Sequence, residues 1–264
     1  MLTIAGVPIG DGHPCRFVAE MSNGHNGDID RALRMVDAAK AAGADFIKWQ
    51  CFTPDELVAL RGDGPAPEPW GSQGWTMRTL YEKAQTPHDW FPRLAQHCAN
   101  VGIPWFSSVF GAESLALLES LDCPAFKIAR LDNGDERLAQ AVKGLKKPII
   151  VSESEFGRSQ YRARTVVRLL CPIGYPQTDF ELSRMHWNND DPNFSYEGPD
   201  FHGFSFHGTD PLPCVVAATL GAKIVEAHFQ LDDEPSELEA NVSLTASAFR
   251  DMVQTVRRVE AMLG

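Results

Sequence analysis

Short apolar, β-branched runs alternate with stretches of helical period along the chain. Residues 16–20 (RFVAE) read as a first strand. After an Asn/Gly-rich turn, Ile29, Leu33, Val36, Ala39 and Ala42 recur at helical spacing, with Asp28 to cap that helix and Gly43 to stop it. Further strands are predicted at 45–51, 104–108, 125–129, 148–152, 166–171, 203–206 and 223–228, with helices over about 88–101, 111–121, 135–145, 211–221 and 245–263. Runs that are apolar throughout, rather than alternating, belong to strands buried on both faces and hence to a parallel sheet. Eight such strands with intervening helices predict a single (β/α)8 TIM barrel, of α/β class, spanning residues 1–264 as one domain.

Two units break the pattern. Only residues 153–165 are available between strands five and six, and 179–200 carry little helical period, so short or irregular crossovers are expected after both strands. Residues 52–75 contain GDGPAPEPWGSQGW and predict a long loop, of the kind that carries function in compact domains.

Composition narrows the class. Hydrophobic residues make up 44% and charged residues 22% of the chain, with a mean hydropathy of -0.22; this is a globular composition, not a disordered one. Lys and Arg number 24 against 35 Asp and Glu, a formal charge of -11 that argues against nucleic acid and anionic membranes as partners. No run approaches the length of a spanning helix, and the N-terminus lacks a basic start followed by an apolar core. Six scattered cysteines without a CxxC pattern suit buried thiols, so a cytoplasmic location is expected.

In a TIM barrel the reactive groups lie at the C-terminal ends of the strands, and here those ends are polar. They carry Glu20, Lys48 and Gln50, Ser107 and Ser108, Lys127 followed by Arg130 and Asp132, Ser152 and Glu153, Ser205 and His207, and Glu226 and His228. A lone charge at a strand end commonly reaches solvent or pairs with a neighbour. Two lysines, two histidines and several carboxylates on one mouth instead suit an anionic substrate and a divalent metal. His25, in the turn after strand one, reads as a turn-and-cap residue, with substrate contact as the alternative.

These segments resemble the sialic acid synthase family of N-acetylneuraminate synthase and related nonulosonic acid synthases. FVAEMSNGHNGD with GADFIKWQ is similar to the family's AEIGxNHNGD and GADAVKFQ. IPWFSSVF, PAFKIA, KKPIIVSE, GFSFH and LGAKIVEAHF follow in family order. The resemblance implies a TIM barrel and a transferase of carbohydrate biosynthesis. Its reaction is the condensation of phosphoenolpyruvate with the open-chain aldehyde of an N-acylated amino sugar, such as N-acetylmannosamine or a relative. Phosphate is released and a 2-keto sugar acid forms, with a divalent metal, typically Mn2+. It implies His207 and His228 as metal ligands and Lys48, Lys127, Ser152 and Ser205, with Ser108, around the phosphoenolpyruvate. Gln50, Thr76 and Tyr175 fall on the sugar side, and Glu20 and Asp132 are the acid and base carboxylates.

Departures are concentrated at a few positions. Arg130 stands where the family has a small phosphate-binding Ser, Asp132 is one methylene shorter than the family's Glu, and Phe206 replaces an Asp. Ile173 replaces a donor-contacting Asn, and Glu239 stands where a sugar-binding Asp belongs. The family's C-terminal antifreeze-like domain is not matched, and a homodimer is left open. Arg130 has three readings: a clamp on the donor's anion, a contact to an acceptor carboxylate, or a surface ion pair with Asp132 or Asp135. Two other classes stand beside the condensing enzyme: a divergent metal-dependent barrel lyase or isomerase of a phosphorylated or keto acid, and a non-catalytic ligand-binding pseudoenzyme.

Overall fold

The computed structural model describes residues 2–154, 166–178, 180, 182 and 201–263. The chain opens with an antiparallel hairpin, β1 (Leu2–Ile4) and β2 (Val7–Ile9). Its two-residue turn has positive φ at both Ala5 and Gly6, the backbone that a tight hairpin requires. Ile4 and Ile9 are buried, and Arg16 donates to the Pro8 carbonyl, which places the hairpin at the N-terminal end of the strands that follow.

Those strands are β3 (Arg16–Glu20), β4 (Phe46–Cys51), β5 (Trp105–Val109), β6 (Phe126–Ile128), β7 (Ile149–Glu153), β8 (Val166–Leu170), β9 (Gly203–Phe206) and β10 (Ile224–Gln230). Each pairs in parallel with the next, and β10 also pairs with β3, from Ile224↔Arg16 to His228↔Glu20, which closes the barrel. A short β11 (Ser243–Thr245) extends the C-terminal end of β10. At Gly203 the backbones of β9 and β10 approach so closely that an added Cβ would lie 2.1 Å from the Ile224 carbonyl.

The intervening helices are α1 (Ile29–Ala41), α2 (Pro54–Arg61), α3 (Met77–Ala84), α4 (Phe91–Val101), α5 (Ala112–Ser120), α6 (Glu136–Gly144), α7 (Leu212–Thr219) and α8 (Ala246–Leu263). Strand alternation decides what enters the barrel. On β4, Trp49 turns outward to stack on Trp105 at 4.5 Å between ring centroids and to meet Phe91 of α4 edge-on. Lys48 and Gln50 therefore face inward. On β9, Phe204 and Phe206 pack outward with Phe180, which turns Ser205 inward.

The strands lie within one or two residues of their expected positions, and the expected barrel is present. The expected loop over 52–75 is corrected: its first third is α2. Thr53 and Glu56 form a capping box, with Pro54 opening the helix. The expected irregular crossovers after strands five and six fall on 155–165 and 183–200, outside the described residues.

Candidate active site

Glu20, Lys48, Ser108, Lys127, Ser152, Ser205, Glu226 and His228 are all buried at the C-terminal mouth of the barrel. Strand register aligns them: Glu20 lies beside Lys48 and His228, Ser108 beside Lys127, and Ser205 beside Glu226.

The two lysines are not buried alone. Lys48 forms an ion pair with Glu20 and lies 3.0 Å from Ser108 Oγ and 3.7 Å from Glu226 Oε1. Lys127 donates to Glu226 Oε1 at 2.7 Å, an oxygen that also accepts from Ser205 Oγ at 3.1 Å. This offsets the cost of burying the ammonium groups, so no ligand is needed for that purpose. Burial pushes Glu226 up, but Lys127 and Lys48 outweigh it and hold the carboxyl at about 2. Burial pulls Lys48 down to about 7 against the opposing pull of Glu226. Among the described residues, three buried polar atoms have no hydrogen-bond partner at this mouth, Glu20 Oε2, Ser152 Oγ and Glu226 Oε2, of which the first faces Lys48 in the ion pair. Buried orphans of this kind point to a molecule that completes them.

The imidazoles of His207 and His228 lie with ring centroids 4.8 Å apart, and the Tyr175 ring stands 5.0 and 5.9 Å from them. His228 Nδ1 faces Glu239 Oε2 at 3.2 Å. A carboxylate oxygen only accepts, so Nδ1 carries a proton and Nε2 is the ring nitrogen left to turn elsewhere. Tyr175 OH donates to the other oxygen of Glu239. Burial opposes ionisation of Glu239, but His228 and Tyr175 hold it at about 2. His207 is gripped by Gln177, which accepts from the His207 N–H at 3.1 Å and sets Nε2 3.1 Å from Nδ1. Burial, reinforced by His228, pushes His207 well below the usual imidazole range and keeps it neutral. Two adjacent imidazoles, one backed by a carboxylate, are of the kind that suits a divalent ion. Among the described residues no cluster of three His, Cys, Asp or Glu side chains is placed to hold one.

The other expected residues are placed as follows. Gln50 donates to Ser22 Oγ at 2.9 Å. Thr76 is used locally as the cap of α3, and His25 is a structural residue that accepts from Gly27 N and faces Thr86 Oγ1. Arg130 interacts with the buried Cys171 thiol, which lies 3.9 Å from His207 Nδ1. Both oxygens of Asp132 lie 2.7 Å from Nη2 of Arg61, so the partner of that carboxylate in the structure is Arg61. Ile173, at the substituted Asn position, is exposed.

Sequence reasoning noted Glu226 without recognising its hub role, and it missed Arg61 and Gln177. The strand-end position of Glu226 was a usable signal. Nothing local distinguished Arg61 or Gln177, whose partners lie 71 and 30 residues away.

Residues 35–264 match the NeuB family. The pseudaminic acid synthase of Campylobacter jejuni (strain 81-176) is 34% identical over 264 residues, covering 94% of this chain and 74% of that protein. The mouse N-acetylneuraminate-9-phosphate synthase is 28% identical, with 97% of this chain and 73% of that one covered. The crystal structure of the Bacillus subtilis spore coat polysaccharide biosynthesis protein SpsE superposes with a TM-score of 0.76 at 26% identity, covering 99% of this chain and 72% of that one. The extent of the family match and the identity to the Campylobacter synthase place the chain in the NeuB family, as a phosphoenolpyruvate-dependent condensing enzyme.

Proposed function

We propose that this barrel condenses phosphoenolpyruvate with the open-chain aldehyde of an N-acylated amino sugar, releasing phosphate and forming a 2-keto sugar acid. The carrying observation is the two buried lysines, Lys48 and Lys127, with the Ser152 hydroxyl on the same barrel mouth as the adjacent His207 and His228 imidazoles.

The donor lies over the lysines. Lys48 and Lys127 supply charge-assisted bonds to its phosphate and carboxylate, and Ser152, Ser205 and Ser108 add hydroxyls. With Glu20 and Glu226 the two lysines form a neutral quartet, so a multiply charged donor calls for one more cation. Arg130 supplies it from the end of β6, in place of a small hydroxyl residue. His207 and His228 are the residues to hold a divalent ion, which we read as Mn2+; when bound, such an ion polarises the acceptor carbonyl. Tyr175, Glu239 and Gln50 face the acceptor, with Thr76 on the same side.

The methylene carbon of phosphoenolpyruvate attacks the aldehyde carbon, and the carbonyl oxygen takes up a proton from water. Water adds to the resulting cationic C2, giving one proton to a carboxylate. The tetrahedral intermediate then expels phosphate, which takes the remaining C2 hydroxyl proton as the keto group forms. Glu20, which pairs with Lys48 and accepts from Ser22 N–H, orients that lysine, and we read Asp132, in the turn after β6, as the base. All six cysteines are free and buried, which supports a reducing, cytoplasmic setting. Among the described residues no helix is long and apolar enough to cross a membrane.

A panel of acceptor aldehydes with phosphoenolpyruvate and Mn2+, followed by phosphate release and product mass, tests the assignment. One acceptor giving equimolar phosphate and a product of the summed mass plus one water less phosphoric acid is expected. No phosphate with any N-acylated amino sugar would remove it.

A further inference from the structure

Asp132 lies in a single 3-10 turn directly after β6, its side chain 1% exposed. Its two oxygens share one donor nitrogen, Nη2 of Arg61, at 2.7 Å each. Arg61 belongs to no barrel strand: it is the last residue of α2 and lies with its guanidinium carbon 5.6 Å from the centroid of the Phe110 ring. That ring belongs to a separate small core with Phe52, Leu57 and Tyr81. The helix is fixed in turn, because Glu56 accepts from Thr53 N and from the N–H groups of Glu113 and Ser114 at the start of α5. The cation is thus carried on a braced element and aimed at one carboxylate.

Among the described residues, the other charged groups around Asp132 are committed elsewhere or carry the wrong sign. Asp135, in its own loop, is a like charge. On β7, which packs against this turn, Glu153 is bound to Arg168 at 2.6 Å. Lys127 of β6 is bound to Glu226, and Arg130 is turned to Cys171. Burial pushes the Asp132 carboxyl above its ordinary value, and Arg61 pulls against it.

We propose that Arg61 is a positioning residue of the reaction: it holds the buried Asp132 ionised and in one orientation, ready to take the proton of the water that adds to C2. This rests on the reading of Asp132 as the base. Without Arg61 the carboxyl faces burial and Asp135 with no compensating charge, and it holds its proton to higher pH.

The test uses Arg61→Met and Arg61→Lys in the full chain, with folding checked by thermal denaturation. The Asp132 carboxyl is titrated by 13C NMR of aspartate-labelled protein, its resonance identified with Asp132→Asn. Arg61→Met is expected to raise the midpoint by at least one pH unit and Arg61→Lys by less. With the acceptor that the wild type turns over, the acid limb of kcat/KM moves up by the same interval while the KM for phosphoenolpyruvate changes less than twofold. An unmoved midpoint in Arg61→Met overturns the proposal. So does a shifted midpoint with an unshifted acid limb, which makes the pair a structural one only. A wild type that turns over no acceptor is a different failure: it removes the base reading itself, whatever the titration shows.

Discussion

At Lys48, burial brings an ammonium down to about 7 in the free protein, within reach of neutral pH. An anionic donor placed against it favours the charged form. Binding of phosphoenolpyruvate at pH 7.5 is therefore expected to take up a fraction of a proton, read as a buffer-dependent calorimetric enthalpy. An enthalpy independent of the buffer's ionisation heat would detach Lys48 from the donor. At His228 the Glu239 contact holds a proton on Nδ1. Glu239→Gln should weaken Mn2+ binding about 10–100-fold, the range for a lost outer-shell partner, and His228→Ala should abolish it. Unchanged Mn2+ titrations of both variants, without substrate, would move the metal elsewhere. Both imidazoles could be picked out from sequence because they end consecutive strands. Their partners Gln177 and Glu239 lie on loops, where neither strand alternation nor helical period sets direction.

Among the elements, the strands could be read because each is a buried apolar run and the inward polar residues of one strand keep to one face of the alternation, as Lys48 with Gln50 and Glu226 with His228 do. The hairpin β1–β2 could not, since its turn is Ala5-Gly6 rather than the Asn-Gly or Asp-Gly pair that announces a tight turn. Helix α2 was concealed by the Gly/Pro run after it, although Thr53, Pro54 and Glu56 spell a helix start. The Glu56 carboxylate caps both α2 and α5, and a Cβ on Gly111 would lie 2.3 Å from its Oε1. Gly111→Ala should cost about 1–2 kcal/mol, the order of a lost cap, and Glu56→Ala at least as much, measured by denaturant unfolding. A neutral Gly111→Ala would mean that the carboxylate has room to move aside. The position of Arg61 depends on this same brace, so both substitutions should also lower turnover.

Over the whole molecule, net charge is far from zero on the acidic side, while the mouth gathers lysines, an arginine and two histidines among its carboxylates. Glu226 and Glu239 are held at about 2 in the fold, below the ordinary glutamate value. Depressed carboxyl values stabilise the native state fully above the unfolded value, and that contribution is lost as pH falls through the native one. The contribution of these carboxylates should thus be flat near pH 6–7 and be lost steeply below about pH 4.5, with a shallower fall in Glu239→Gln. Equal slopes would show that these carboxylates do not govern acid unfolding. The central claim is that donor carbon chemistry takes place at this mouth, and the isotopic fate of water reads it directly. The wild-type reaction is run in H2(18)O with phosphoenolpyruvate, Mn2+ and the competent acceptor, and the phosphate is examined by 31P NMR. Water adding at C2 leaves the released phosphate unlabelled, one per molecule of product, and Lys127→Met releases none. Labelled phosphate, or phosphate formed without a carbon–carbon product, would contradict the account.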